Sequence, residues 1–248
     1  MILETKKLFF KTAFIVFEDD KIKEAVQNRR YSSFVGITRN DLNLPGVIRG
    51  VKKTSVIDLI QSEEGIFSAF NDTTRNEIRR TDKISELRIA PDDNNLLLSY
   101  ELYKKFEYSQ GRVPFPITNM KDCFVFSAYL GNRVISGVYV DSGGKNLRIR
   151  YIFSERLKTE DQELYKTVGY ASKRLIWEIC RWGKTGGFSS LDMAAVNFTD
   201  KKKEGITKFK MSFGGMLADE YTYLYKSKLF SYFEKLALLK NYIKRLVH

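Results

Sequence analysis

The chain has 248 residues and a formal net charge of +12, with 18 Phe, 14 Tyr, two cysteines and one histidine. That length supports one large domain or two small ones, and the aromatic content allows a core without staples. Two cysteines and a lone terminal histidine, His248, exclude a zinc centre and a histidine-based triad, so no metal is expected. Cys123 and Cys180 lie beside apolar residues, as buried thiols in a reducing compartment do. The N-terminal stretch MILETKKLFFKTAFIVFEDD is broken by Glu4, Lys6, Lys7 and Lys11 and has no cleavage-like site of small residues. No apolar run reaches the ~18 residues of a membrane span, so the expectation is a cytoplasmic protein. Residues 201–248 hold 11 Lys/Arg against 4 Asp/Glu, a net +7. This predicts an anionic partner (a phosphate, a nucleic acid or a membrane surface), the alternative being a surface merely tilted toward lysine.

No repeat or low-complexity linker interrupts the chain. Residues 53–59, KTSVIDL, read as a short buried strand. Ile66, Phe67, Phe70, Thr74 and Ile78 then recur at helical spacing through QSEEGIFSAFNDTTRNEIRR, with Ser62 as N-cap and Glu63 and Glu64 in the first turn. LRIA (87–90) reads as a strand and 92–109 as a helix capped by Asp92. Residues 112–120 hold two prolines and read as a loop. CFVFSAYL, RVISGVYV and KNLRIRYIF are β-rich runs separated by turn residues, which predicts a three-stranded meander over 123–153. A long helix carries Leu175, Ile176 and Ile179 through about Trp182 and closes on Gly186–Gly187; FSSLDM (188–193) follows as a strand. In GITKFKMSFGG (205–215), two lysines alternate with two phenylalanines. This predicts a strand with Lys208 and Lys210 on one face, either an edge strand guarded by lysines or a strand end facing an anionic ligand. The stripe Leu229, Phe233, Leu236, Leu239, Ile243, Leu246 predicts a basic amphipathic C-terminal helix over 226–247. The expected fold class is α/β with a mixed, mainly antiparallel central sheet flanked by helices.

This ordered set resembles the GNAT acyltransferase superfamily, in particular its FemAB-like branch. That branch includes aminoacyltransferases of peptidoglycan bridge formation and acyltransferases that accompany surface-polysaccharide enzymes. The likeness is carried by TSVIDL with GIFSAFNDTTRNEIRR, the hairpin CFVFSAYLGNRVISGVYV, ASKRLIWEICRWGKTGGFSSLDM and the Phe-Lys…Phe-Gly run of GITKFKMSFGG. It implies a GNAT-like domain over residues 53–225, preceded by an extension (1–52) and followed by the basic helix (226–248).

The resemblance implies direct attack of an acceptor amine on a thioester, acetyl-CoA or another acyl-CoA, with no covalent enzyme intermediate. The donor's pyrophosphate would meet the start of the long helix at Lys166, Gly169, Tyr170 and Ala171, where a glycine permits close approach; otherwise these residues only pack helices. Such a loop is often degraded in the branch, which leaves charged tRNA open as donor. Arg75 and Arg79, with Lys83 at the next step and Arg80 beside them, would hold phosphates of a substrate or form a solvated helix face. Asp192 would be the general base or the cap of the next turn. Tyr151 would line the donor's entry or belong to the core. Lys208 and Lys210 would hold phosphate or the transition state, sharing a cleft with Asp192, and Gly214 would let substrate approach the backbone. The implied acceptor is an amino sugar, small or nucleotide-linked; the basic C-terminal helix would either touch the anionic inner face of the membrane weakly or dock its stripe on its own domain. The rival readings are an aminoacyl-tRNA-dependent transferase and a non-catalytic nucleic-acid-binding protein. Oligomeric state is left open.

Overall fold

The computed structural model describes residues 1–7, 9–156 and 161–236. In chain order the elements are β1 (Ile2–Lys7), β2 (Phe10–Val16), α1 (Asp19–Gln27), β3 (Ser33–Thr38), β4 (Ile48–Asp58), α2 (Glu63–Ala69), α3 (Asp72–Thr81), β5 (Leu87–Ala90) and α4 (Leu96–Ser109). There follow β6 (Phe124–Leu130), β7 (Arg133–Gly143), β8 (Asn146–Ser154), α5 (Gln162–Thr185), β9 (Ser190–Ala195), α6 (Glu204–Met211) and β10 (Met216–Lys226). The chain divides into two compact units, Lys53–Ala218 and Met1–Lys52 with Asp219–His248.

The smaller unit pairs β1 with β2 antiparallel, β2 with β3 in parallel, and β3 with the later part of β10 antiparallel. The parallel step needs a crossover, and α1 supplies it. Its inner face is Ile22 and Ala25, and Ile22 lies so close over Gly36 that a Cβ there would be 3.0 Å from it. Ile15, Phe34 and Tyr223 complete this core.

The larger unit orders its strands β4-β9-β8-β7-β6-β5. Strands β6 to β8 form the three-stranded antiparallel meander expected from the sequence, β5 adds to β6 antiparallel, β8 and β9 run parallel across α5, and β9 meets β4 antiparallel. Alternation along β7 divides the unit into layers. Val138 and Val140 pack beneath α5, α2 and α3, with Leu175, Ile176, Ile179, Ile66 and Ile78. Tyr139 points the other way, under α4, with Tyr103, Tyr129 and Phe153.

The sheet is mixed: β2–β3 and β8–β9 run parallel beside antiparallel pairs. Three expectations are corrected. The helix expected over 62–80 is two helices. Ser62 does cap the first, accepting from Gly65 N at 3.0 Å, but the chain turns extended at Phe70 and Asn71 caps the second, accepting from Thr74 N at 2.8 Å. The cap of α4 is Asn95, because Asp92 adopts φ +49° three residues earlier. GITKFKMSFGG is mostly helix: α6 buries Thr207, and Phe209 and Phe213, four residues apart, pack together with ring centroids 5.2 Å apart. Those apolar positions fit a helical period as well as the lysines fit a strand.

The C-terminal helix is described over 228–236; Leu239, Ile243 and Leu246 lie outside the described residues.

Candidate active site

Strands β8 and β9 pair only over Asn146–Arg148 and Ser190–Asp192. Beyond Arg148, β9 gives β8 no ladder partner, and the two strands bound a cleft of about 400 Å³. Its walls are Ile149, Arg150, Tyr151 and Ile152 on β8, Ala194 near the end of β9, Lys202, Lys203, Ile206 and Lys210 around α6, and Phe106, Glu107, Gln110 and Arg112 at the end of α4.

A register slip positions the β8 side chains. Tyr139 pairs with Tyr151 and Val140 with Ile149, so Arg150 is the extra residue of a β-bulge. A bulge bends the strand and redirects a side chain. The guanidinium of Arg150 reaches Asp141 twice, Nε to Oδ2 at 2.9 Å and an Nη to Oδ1 at 2.7 Å, and another Nη donates to the carbonyl of Asn119. Both side chains are buried. Burial pushes the Asp141 carboxyl up, and the Arg150 charge opposes this. Removing one member of such a pair strands the other, so Arg150→Met should cost about 3–5 kcal/mol, read from denaturant midpoints. Arg150→Met/Asp141→Leu should recover most of that loss.

Charge in the cleft is one-sided. Among the described lining residues are Arg112, Arg150, Lys202, Lys203 and Lys210 and one carboxylate, Glu107, which Arg112 engages bidentately at 2.8 and 2.6 Å. Lys203 also pairs with Asp200 at 3.5 Å, and Lys210 Nζ donates to the carbonyl of Ala195 at 2.8 Å. Tyr151 packs on Tyr103 with centroids 5.1 Å apart. Burial pushes both phenols up, so Tyr151 stays protonated.

Of the residues nominated from sequence, Tyr151 and Lys210 line this cleft. Asp192 lies beneath it, fully buried, and its Oδ1 accepts from Thr54 Oγ1 and from Ala194 N at 2.7 Å. Asp192 thus fastens the turn that leaves β9, where Ala194 takes φ +59°. Lys208 is on the other side of α6, paired with Glu204 at 2.6 Å, because residues two apart on a helix diverge by ~200°. Gly214 has φ +66°, and a Cβ there would lie 2.1 Å from the carbonyl oxygen of Ala69, so close packing requires this glycine.

The expected phosphate site is also relocated. Helix α5 starts at Gln162, so Gly169 lies two turns inside it, buried with Ala171 and with Arg156 over it, instead of at its start. Lys166 pairs with Glu163 at 2.8 Å and Tyr170 accepts from Arg80 at 2.9 Å. The true N-terminus is occupied by the Asp161 carboxylate, which accepts from Glu163 N and Leu164 N, with Glu163 in the first turn. Arg75 turns back to the carbonyls of Ser68 and Phe70 and to Asp72, closing the end of α2. Arg79 covers Phe67 at 5.4 Å.

No protein-family model matches the chain, and no curated protein matches it. Among solved structures, FemX matches with a TM-score of 0.62 at 12% identity, over 89% of this chain and 83% of that one. The C-terminal domain of a putative lysylphosphatidylglycerol synthetase from Agrobacterium fabrum matches with a TM-score of 0.57 at 12% identity, over 90% and 79%. L-PGS from Bacillus licheniformis matches with a TM-score of 0.51 at 12% identity, over 98% and 86%. The chain shares the fold of FemX and of these two synthetase structures. Among the described residues no helix is long and apolar enough to cross a membrane.

Proposed function

We propose that the cleft between β8 and β9 transfers an acyl group to an amine, and that the donor is an aminoacyl ester of tRNA rather than a CoA thioester. The observation that carries the reading is the parting of β8 and β9 at the Arg150 bulge, which opens a strand edge onto a strongly cationic hollow. The acceptor nitrogen attacks the acyl carbonyl, the C–N bond forms and the ester C–O bond breaks. The departing 3′-terminal hydroxyl oxygen takes the proton that the amine loses. Lys210 and the Tyr151 hydroxyl, which line the cleft, would stabilise the oxyanion. The excess of cations over carboxylates in the lining favours entry of the amine in its neutral, nucleophilic form, because like charge lowers an ammonium pKa.

The choice of donor rests on α5. Asp161 and Glu163 put two carboxylates at the helix end where a CoA pyrophosphate would need bare N–H groups. The +12 charge supports an RNA partner. The name lysylphosphatidylglycerol synthetase, borne by a protein of this fold, describes an aminoacylated product. The acceptor would be an anionic amine such as a nucleotide-linked amino sugar, with Lys202, Lys203 and Arg112 on its phosphates.

Calorimetry separates the donors. A short RNA ending in CCA with an amide-linked aminoacyl group should bind saturably, and CoA and acetyl-CoA should not bind. Saturable CoA binding would return the donor to the thioester class. RNA binding that ignores the aminoacyl group, with no transfer, would favour a nucleic-acid-binding protein.

A further inference from the structure

The smaller unit carries an exposed apolar face. Ser227 caps the helical segment 228–236, its Oγ accepting from Phe230 N at 3.2 Å. Phe230 and Phe233 dock this segment on the β1–β2 hairpin, both against Phe10, with ring centroids at 5.2 and 5.4 Å. That contact uses only one side of the helix. Leu229, Tyr232 and Leu236 form a second stripe at spacings of three and four, and they are 55%, 60% and 44% exposed. Phe9, at the hairpin tip and 62% exposed, extends the stripe through its edge contact with Phe233 at 5.8 Å.

The surroundings indicate the occupant. Lys228 and Lys235 flank the stripe, while Lys226 is paired with Glu234 at 2.6 Å. The unit holds 16 Lys/Arg against 9 Asp/Glu, a net +7 that already includes Lys240, Lys244 and Arg245 in the sequence past Leu236. Like charge of this size opposes a second copy of the chain on the same face. Leucines at two of the three stripe positions offer nothing for bases to stack on. Leucine and aromatic side chains edged by lysine match the boundary between lipid headgroups and acyl chains.

We propose that this face docks on an anionic lipid surface, with Leu229, Tyr232, Leu236 and Phe9 entering the headgroup boundary and Lys228 and Lys235 meeting lipid phosphates. The inference stands apart from the transfer reading, since no residue of the β8–β9 cleft takes part in it.

The test is sedimentation of the full chain with phosphatidylglycerol-containing vesicles and with pure phosphatidylcholine vesicles. Binding should be selective for the anionic vesicles and weaken with salt. Lys228→Gln/Lys235→Gln should lower the partition coefficient by about 10-fold or more. Leu229→Ser/Tyr232→Ser/Leu236→Ser should lower it by ~100-fold or more, at an unchanged melting temperature because the three positions are exposed. Equal or negligible binding to both vesicle types would overturn the proposal. So would a triple variant that binds like the wild type, or sedimentation velocity showing that the stripe joins two copies in solution.

Discussion

Replacing Lys210 with methionine should lower kcat/KM for acyl transfer by about 100-fold while leaving the fold intact. Lys210 lines the cleft from α6, and its ammonium is held at 2.8 Å from the carbonyl of Ala195, just beyond the end of the β8–β9 ladder. A charge fixed in this way needs little reorganisation when the oxyanion forms, and loss of one such donor raises a barrier by roughly 3 kcal/mol. Lys210→Arg should restore part of the rate. Lys208→Met is the control: its side chain is 75% exposed, is paired with Glu204 and does not line the cleft, so steady-state rates should match the wild type. If Lys210→Met turned over normally, the ammonium would have no place in the reaction.

The largest loss of stability from one added methyl group should come from Gly214→Ala. The left-handed backbone at this position disfavours any side chain, and the new Cβ would meet a backbone oxygen that cannot rotate away. Strain and overpacking together should cost about 2–5 kcal/mol. Gly205→Ala, in the first turn of α6 with nothing within 4 Å of the added carbon, should be neutral or slightly stabilising. Guanidinium unfolding followed through Trp177 and Trp182, which both belong to α5, measures the pair. Similar midpoints for the two variants would mean that the Ala69 contact yields easily.

Strands β6 to β9 and helix α5 are legible in the sequence because each is a long run of one period, bounded by turn residues. The break between α2 and α3 is hidden, since Phe70 and Thr74 keep helical spacing across it while Asn71 ends one helix and caps the next. Helix α6 is misread for a related reason. Lys-Phe-Lys obeys a period of two over too few residues to exclude a helix, and Phe209 with Phe213 sets the period that packing enforces. That difference divides the site, because a strand would put Lys208 beside Lys210, whereas the helix sends them to opposite sides.

Tyr151 and Lys210 are visible candidates because each stands next to a pattern the sequence displays. Arg150, Arg112 and Glu107 are not. The slip that turns Arg150 toward Asp141 is a property of pairing between strands, and the Glu107–Arg112 pair needs the chain reversal at the end of α4. An arginine two residues from another arginine within an apolar strand, as in LRIRYIF, is the one available signal, since a buried charge demands a partner. Asp192 shows the opposite case: its residue type fits a base, but its bond to Ala194 N gives it a part in shaping the turn. Asp192→Asn should therefore reduce stability before it reduces turnover.

The central claim is tested most directly by single-turnover transfer from bulk tRNA charged with labelled amino acids to nucleotide-linked amino sugars, run beside labelled acetyl-CoA. The account predicts that label leaves tRNA only when both enzyme and amine are present, that it appears in an amide, and that Lys210→Met slows this step. Label transferred from acetyl-CoA while the tRNA stays charged would contradict it.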